Sequence, residues 1–533
     1  MHENILQSWN DEWPAVRSSK PLPTGQGVID QAAFNTIEVD ELFDNVNHAA
    51  TLAGQAVLYR SLAQPLDNPE AVAAKQEAVR EIRDHQDVRA NVENIVANAA
   101  QGESRLYLLL FGEFLGSFGT AREQHHIEGY GYKQYVRGIR FVLNLVDAIQ
   151  GSETPKTPYL QSVYGKIRAF AQSNEYSLMV GPVYNSEKGL QSREERQHSL
   201  SPATIFRPTL FKPLLIAILF AIVWGFTQVF PTDLFTFSKD GIAIGSVFFL
   251  PLMLAYIPVI GGYDRDNCII PLRDIYRKSA ALGELLDGLG QLDELLAIIK
   301  YAENYGSEMV LPTLETGEQH SIQLSAAKNP VLGNGNSNYV GNDFAMQAER
   351  LVCITGPNSG GKTAFCKTVT QIQLLTQIGC YVPADAASLT VADRIYYQAP
   401  EISHLDDGEG RFGTELKRTR DIFLNSSAKS LVVLDEMAEG TTFEEKMQSS
   451  IDVLDGFYRK GNSTILITHN HQLVDVFVNR GIGVAKQVEF AEDMPTFKLV
   501  PGISRVSHAD RVAKKIGFSK QDIDNYLAKT KSA

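Results

Sequence analysis

The stretch Leu351-Val352-Cys353-Ile354-Thr355-Gly356-Pro357-Asn358-Ser359-Gly360-Gly361-Lys362-Thr363 decides the fold. Its first five residues carry no charge and read as a strand buried on both faces. They run directly into GxxxxGK[ST], and the segment that follows, AFCKTVTQIQLLTQIG, reads as a helix. Strand, loop and helix in that order are the context this motif requires. Glycines let backbone N–H groups crowd around phosphates, and the helix N-terminus adds its positive end. Gly356, Pro357, Asn358, Ser359, Gly360, Gly361, Lys362 and Thr363 are therefore the candidate nucleotide-binding set. Lys362 is placed to reach the β- and γ-phosphates of ATP, and the Thr363 hydroxyl to ligate Mg²⁺.

Two further strands extend this reading. Leu431-Val432-Val433-Leu434-Asp435-Glu436 is an apolar run ending in two carboxylates. Asp435 suits a Mg²⁺ contact, and Glu436 a general base that orients or deprotonates water. Ser463-Thr464-Ile465-Leu466-Ile467-Thr468-His469 ends in a histidine placed to sense a γ-phosphate, so Glu436 and His469 form the candidate catalytic pair. Lysine loop, Asp-Glu strand and His strand, in that order, follow the ATP-binding-cassette plan. The strand–helix alternation defines an α/β domain over residues 320–517, with a tail at 518–533.

Upstream the periodicity is helical. Residues 1–30 read as an irregular leader, 31–200 as the first part of an all-α lever or core domain, and 266–315 as its return. Asn68-Pro69 opens one helix with a cap followed by proline at the first position. Residues 150–200 are polar and read as a looped or partly disordered segment. Between the helical parts, 205–265 holds two uncharged stretches, 213–232 and 241–263. Each has about 20 residues, enough for a helix to cross a hydrocarbon layer of about 30 Å. The alternative, a pair of buried core helices, draws on Pro251 and Pro258. The expected arrangement is a transmembrane hairpin in the inner membrane, with both long flanks cytoplasmic because Arg207, Lys212, Arg265, Arg273, Arg277 and Lys278 border the spans. Arg193, Arg196, Arg207 and Lys212 then face anionic lipid headgroups or, in the minority reading, a DNA backbone.

The chain has 533 residues, which sets a prior of three or four structural units. Its 44% hydrophobic and 21% charged residues are those of a globular protein, and a net charge of −13 excludes a generally basic surface. The four cysteines, Cys268, Cys353, Cys366 and Cys380, lack CxxC spacing, so a disulfide scaffold or structural zinc site is not expected. His125-His126, flanked by Glu123 and Glu128, reads as a solvated helix face or, less simply, a metal cluster.

GPNSGGKT, IGCYVPADAASLTVADRIY, LVVLDEMAEGTT and ILITHNHQL together resemble the ATPase domain of the MutS family of DNA mismatch-repair proteins. Tyr339-Val340-Gly341-Asn342 is similar to the family's approach to the nucleotide loop, and the resemblance makes Tyr339 the aromatic that packs on adenine. It implies a homodimer with each ATP sandwiched against the partner's signature segment. Gly410, Arg411, Gly413 and Thr414 are its counterparts here, although Glu409 stands where the family pattern has serine. The resemblance also implies DNA binding, while residues 1–30 hold no Phe-x-Glu mismatch-reading motif. Two functions are therefore expected. The first is a membrane-anchored, MutS-like clamp driven by ATP and acting on DNA. The second is a regulatory or scaffolding membrane switch that uses ATP to grip a protein partner.

Overall fold

A computed structural model describes residues 4–9, 12–115, 125–196, 202–229, 255–357, 360–400, 410–437, 443–491, 494–505 and 516–530. The chain divides into two compact units. One comprises Met1–Ser18, Ala49–Leu58 and Glu81–Leu296, the other Ser19–His48, Tyr59–Arg80 and Ala297–Ala533.

The first unit is mainly helical. Its centre is the helix Gln86–Phe111 packed along Tyr132–Gln150. The second of these buries Tyr135, Gly138, Phe141, Val142, Leu145, Val146 and Ile149, a stripe at the 3.6-residue period. Trp9, buried at the end of Ile5–Ser8, sets its ring edge-on to Tyr107 and Phe111. Residues 150–196 are far more regular than their polarity led us to expect. Pro158–Phe170 buries Leu160, Val163, Tyr164, Ile167 and Phe170, a helical stripe hidden among polar neighbours. Asn174–Val180 is capped by Ser173, whose hydroxyl accepts the Tyr176 N–H at 3.1 Å. An antiparallel sheet follows, with Val183–Ser186 between Gly189–Gln191 and Thr204–Phe206. His126 lies in a two-residue strand, not on a helix, and the His125 ring sits 3.8 Å from that of Trp13.

The transmembrane hairpin is not supported. Among the described residues no helix is long and apolar enough to cross a membrane. The first stretch forms a helix over Pro213–Val229, 17 residues. Of the second stretch, residues 241–254 lie outside the described residues. The membrane anchor, the inner-membrane location and the lipid partner are withdrawn with it. The basic residues expected to meet headgroups have other contacts: Lys212 pairs with Asp264 at 2.6 Å, and the Arg196 guanidinium lies 4.6 Å over the Tyr184 ring.

The second unit is α/β, as the strand pattern implies. Its main sheet has the order Ile395–Gln398, Leu431–Asp435, Ser463–Ile467, Leu351–Thr355, Val484–Ala491, Met494–Pro501. All neighbours are parallel except the last pair. A second sheet orders Thr313–Glu315, Ala386–Thr390, Ile322–Ala327 and Asn342–Met346. Every residue of Leu351–Thr355, Leu431–Asp435 and Ser463–Ile467 is buried, which explains their unbroken apolar runs. In register, Asp435 lies opposite Ile467, and Ile467 opposite Ile354, so the three strands end level at one edge. Residues from the expected leader are built into this unit. Ile29 bridges Ile395, and Asp30 caps Gln31–Thr36 and pairs with Arg418 at 2.7 Å. The cap expected at Asn68 is present, its side chain accepting the Ala71 N–H at 3.0 Å.

Candidate functional site

The level edge collects the candidate residues from three strands. Leu351–Thr355 leads into Gly356 and Pro357, and the loop ends at Gly361, whose φ of +83° lies in the left-handed region that glycine enters freely. The helix Lys362–Gln377 starts at the next residue. Asn358 and Ser359 lie outside the described residues. A Cβ on Gly360 would come within 3.0 Å of the Val488 side chain, so the neighbouring strand Val484–Ala491 sets how close the loop backbone can lie.

Lys362 is 1% exposed and donates to the Gly356 carbonyl at 2.5 Å, folding its ammonium back over the loop. Burial pulls its pKa down, and the Glu436 and Asp435 carboxylates pull it back up. The Thr363 hydroxyl donates to an Asp435 carboxylate oxygen at 3.0 Å. Burial raises the Asp435 pKa, opposed by that hydrogen bond and by the charge of Lys362. His469 places Nε2 3.5 Å from the Lys362 Nζ and 3.8 Å from a Glu436 carboxylate oxygen. Its backbone N–H donates to the same Glu436 oxygen at 3.1 Å.

Glu436 is the unusual residue. Its φ of +57° is left-handed, a conformation that costs a side-chain-bearing residue of order 1 kcal/mol or more and concentrates at functional sites. Its N–H is held by the Ile467 carbonyl at 3.0 Å, so the sheet fixes the turn that aims its carboxylate.

Thr363 and Asp435 supply hard oxygen ligands, one neutral and one anionic, at the start of a helix. Among the described residues no group of three or more His, Cys, Asp or Glu could hold a metal. The pair nonetheless fits Mg²⁺, which takes one or two protein oxygens and completes its shell with phosphate and water.

A protein-family profile described as MutS domain V matches residues 352–531. This part of the chain is similar to MutS domain V. The chain is 29% identical over 265 residues to the "DNA mismatch repair protein MutS" of Prochlorococcus marinus (strain AS9601), covering 48% of this chain and 29% of that protein. It is 31% identical over 248 residues to the "Endonuclease MutS2" of Geobacillus sp. (strain WCH70), covering 46% and 31%. It is 30% identical over 258 residues to the "DNA mismatch repair protein MSH3" of Vanderwaltozyma polyspora, covering 46% and 25%. These findings support membership of the MutS family, although the matched part spans less than a third of the MutS and MutS2 relatives.

The other expected residues of this MutS-like region are placed as follows. Tyr339 is half-buried, its hydroxyl hydrogen-bonded to the Thr368 hydroxyl and to the Asn329 backbone N–H, which ties it to the helix that begins at Lys362. Gly410, Gly413 and Thr414 open the helix Gly410–Asn425, and Glu409 lies outside the described residues. Sequence reading missed Tyr397 and Phe497. Tyr397 is 1% exposed beside Asp435. Phe497 has φ +59°, and its ring would sit 3.3 Å from a Cβ on Gly361. Asn342 fixes it by donating to the Phe497 carbonyl at 2.9 Å and accepting the Leu499 N–H at 2.8 Å. The only signal was an Asn opening a strand otherwise apolar at alternate positions.

Proposed function

We propose that this chain is a P-loop ATPase of the MutS type that hydrolyses ATP with Glu436. The observation supporting this most is the left-handed Glu436, aimed by the sheet and hydrogen-bonded to the His469 N–H, beside Lys362 and Thr363. Gly356–Thr363 cradle the phosphates through backbone N–H groups and the helix end. Lys362 exchanges its bond to the Gly356 carbonyl for phosphate oxygens, which offset its cost of burial. Thr363 and Asp435 would hold Mg²⁺, which neutralises phosphate charge when bound. Glu436 orients the attacking water and takes its proton, and the His469 side chain faces the terminal phosphate. Tyr339 lies on the adenine side.

In the same reading the chain works as a homodimer. Gly410, Arg411, Gly413 and Thr414 of one copy complete the site of the other, and ATP turnover opens and closes the pair on DNA. Support for DNA comes from the names of the MutS and MSH3 relatives. The test is ATP binding and turnover of Lys362→Ala and of the parent, with and without duplex and mismatched DNA at low and physiological salt. Lys362→Ala should lose ATP binding, and DNA should stimulate the parent less as salt rises, because phosphate contacts release counterions. A Lys362→Ala protein that binds ATP normally refutes the nucleotide site. Turnover indifferent to DNA at every salt concentration refutes the DNA part alone.

A further inference from the structure

Within the helical unit, Gln86–Phe111 and Tyr132–Gln150 enclose a groove of about 790 Å³ that no part of the ATPase reading uses. Three contacts fix the two helices in antiparallel register. A Cβ on Gly138 would lie 3.2 Å from the Arg105 carbonyl, and one on Gly102 would meet the Phe141 ring at 2.8 Å. At the far end, the Ser152 hydroxyl donates to Asn91 at 3.3 Å. The groove therefore has two distinct ends. Arg105, Arg137 and Arg140 share one, and Asn94, Asn98 and Asn144 line the middle.

The three guanidiniums are exposed, and among the described residues none has a hydrogen-bond or ion-pair partner. Arg137 and Arg140 are three apart on one helix face, where like charges repel and cost stability. The fold gains nothing from this arrangement, but an anion would. The amides complement it. Asn98 donates to Asn94 at 3.1 Å, which leaves the Asn98 carbonyl oxygen and the rest of the Asn94 amide group open to a ligand. Asn144 has no hydrogen-bond partner among the described residues. Amides facing a groove offer donors and acceptors together, the pairing that hydroxyl groups need. Asp147 is the only carboxylate on the wall.

We propose that this groove binds a small organic phosphate, with the phosphate at Arg105, Arg137 and Arg140 and a hydroxyl-bearing body along Asn94, Asn98 and Asn144. The volume falls within the range of small-molecule sites, roughly 300–1,000 Å³. A single strand of nucleic acid is the poorer fit, because such strands stack on aromatic rings. The one ring here, Phe141, is 7% exposed and pressed against Gly102. A duplex is also poorer, since it is read by elements that protrude into its grooves.

The test is calorimetric titration of the full chain carrying Lys362→Ala, which removes the other phosphate site, with ribose 5-phosphate and with inorganic phosphate. Ribose 5-phosphate should bind once per chain and at least about tenfold more tightly than inorganic phosphate. Arg137→Gln with Arg140→Gln, and separately Arg105→Gln, should each weaken it by about tenfold or more, the loss of a charge-assisted contact. Asn144→Ala should weaken ribose 5-phosphate and leave inorganic phosphate unchanged. The proposal is overturned by absence of ribose 5-phosphate binding, by equal affinity in parent and arginine variants, or by inorganic phosphate binding as tightly. It is also overturned if the arginine variants lose duplex DNA and keep ribose 5-phosphate.

Discussion

Glu103 makes stability of the helical unit depend on pH in a direction opposite to that of most carboxylates. It is 7% exposed and accepts the Leu52 N–H at 2.6 Å and the Tyr107 hydroxyl at 3.0 Å. Burial raises its pKa from 4.5 to about 7, against the pull of those hydrogen bonds, and nearby Asp293 adds to the rise. A carboxyl whose pKa is higher folded than unfolded binds more protons in the folded state, so stability falls as pH rises from the unfolded value through the folded one. The difference of about 2.5 units corresponds to roughly 3.4 kcal/mol at 1.36 kcal/mol per unit, of which about 2.5 kcal/mol develops between pH 5 and 8. Glu103→Gln removes the charge and keeps one acceptor, for the Leu52 N–H, while its amide N–H turns to the Tyr107 hydroxyl oxygen.

The assay is urea unfolding at pH 5, 6, 7 and 8, followed by tryptophan fluorescence. All three tryptophans, Trp9, Trp13 and Trp224, lie in this unit, and Trp9 stacks edge-on against Tyr107. The parent should lose about 2–3 kcal/mol across this range relative to Glu103→Gln. Parallel profiles for the two proteins would refute the reasoning.

Asp30→Ala removes both a helix cap and the partner of Arg418, whose hydrogen bond and charge hold the Asp30 pKa below the usual carboxylate range despite burial. The expected loss is about 3–5 kcal/mol, because a largely buried guanidinium is left unpaired; chemical unfolding of the α/β unit checks it. Gly361→Ala places a Cβ on a left-handed residue 3.3 Å from the Phe497 ring, so ATP binding measured by calorimetry should weaken by about tenfold from a strain of order 1–2 kcal/mol. Unchanged ATP affinity would show that the loop does not need this conformation.

The α/β unit was legible because its chemistry is local in sequence. Unbroken apolar runs end at Thr355, Asp435 and Ile467, and a parallel sheet buried on both faces has no other way to be written. Parallel strands whose ends are level then bring Lys362, Asp435, Glu436 and His469 together without further instruction. What failed was the step from uncharged stretches to a membrane hairpin, since among the described residues no helix is long and apolar enough to cross a membrane. The opposite error fell on 150–200, where Leu160, Val163, Tyr164, Ile167 and Phe170 carry a buried stripe that average polarity concealed. Other features depend on contacts distant in sequence, such as Asn342 donating to the Phe497 carbonyl, or Arg105 and Arg137 from two helices lining one groove. No local pattern encodes those.

The central claim is that Glu436 performs the hydrolysis, and the most direct test is steady-state and single-turnover ATPase of Glu436→Gln beside the parent, with ATP binding measured on both. The account predicts that binding is retained and turnover falls by about 10²–10⁴-fold, the contribution of a positioned general base. A Glu436→Gln protein that hydrolyses ATP at the parent rate would contradict it.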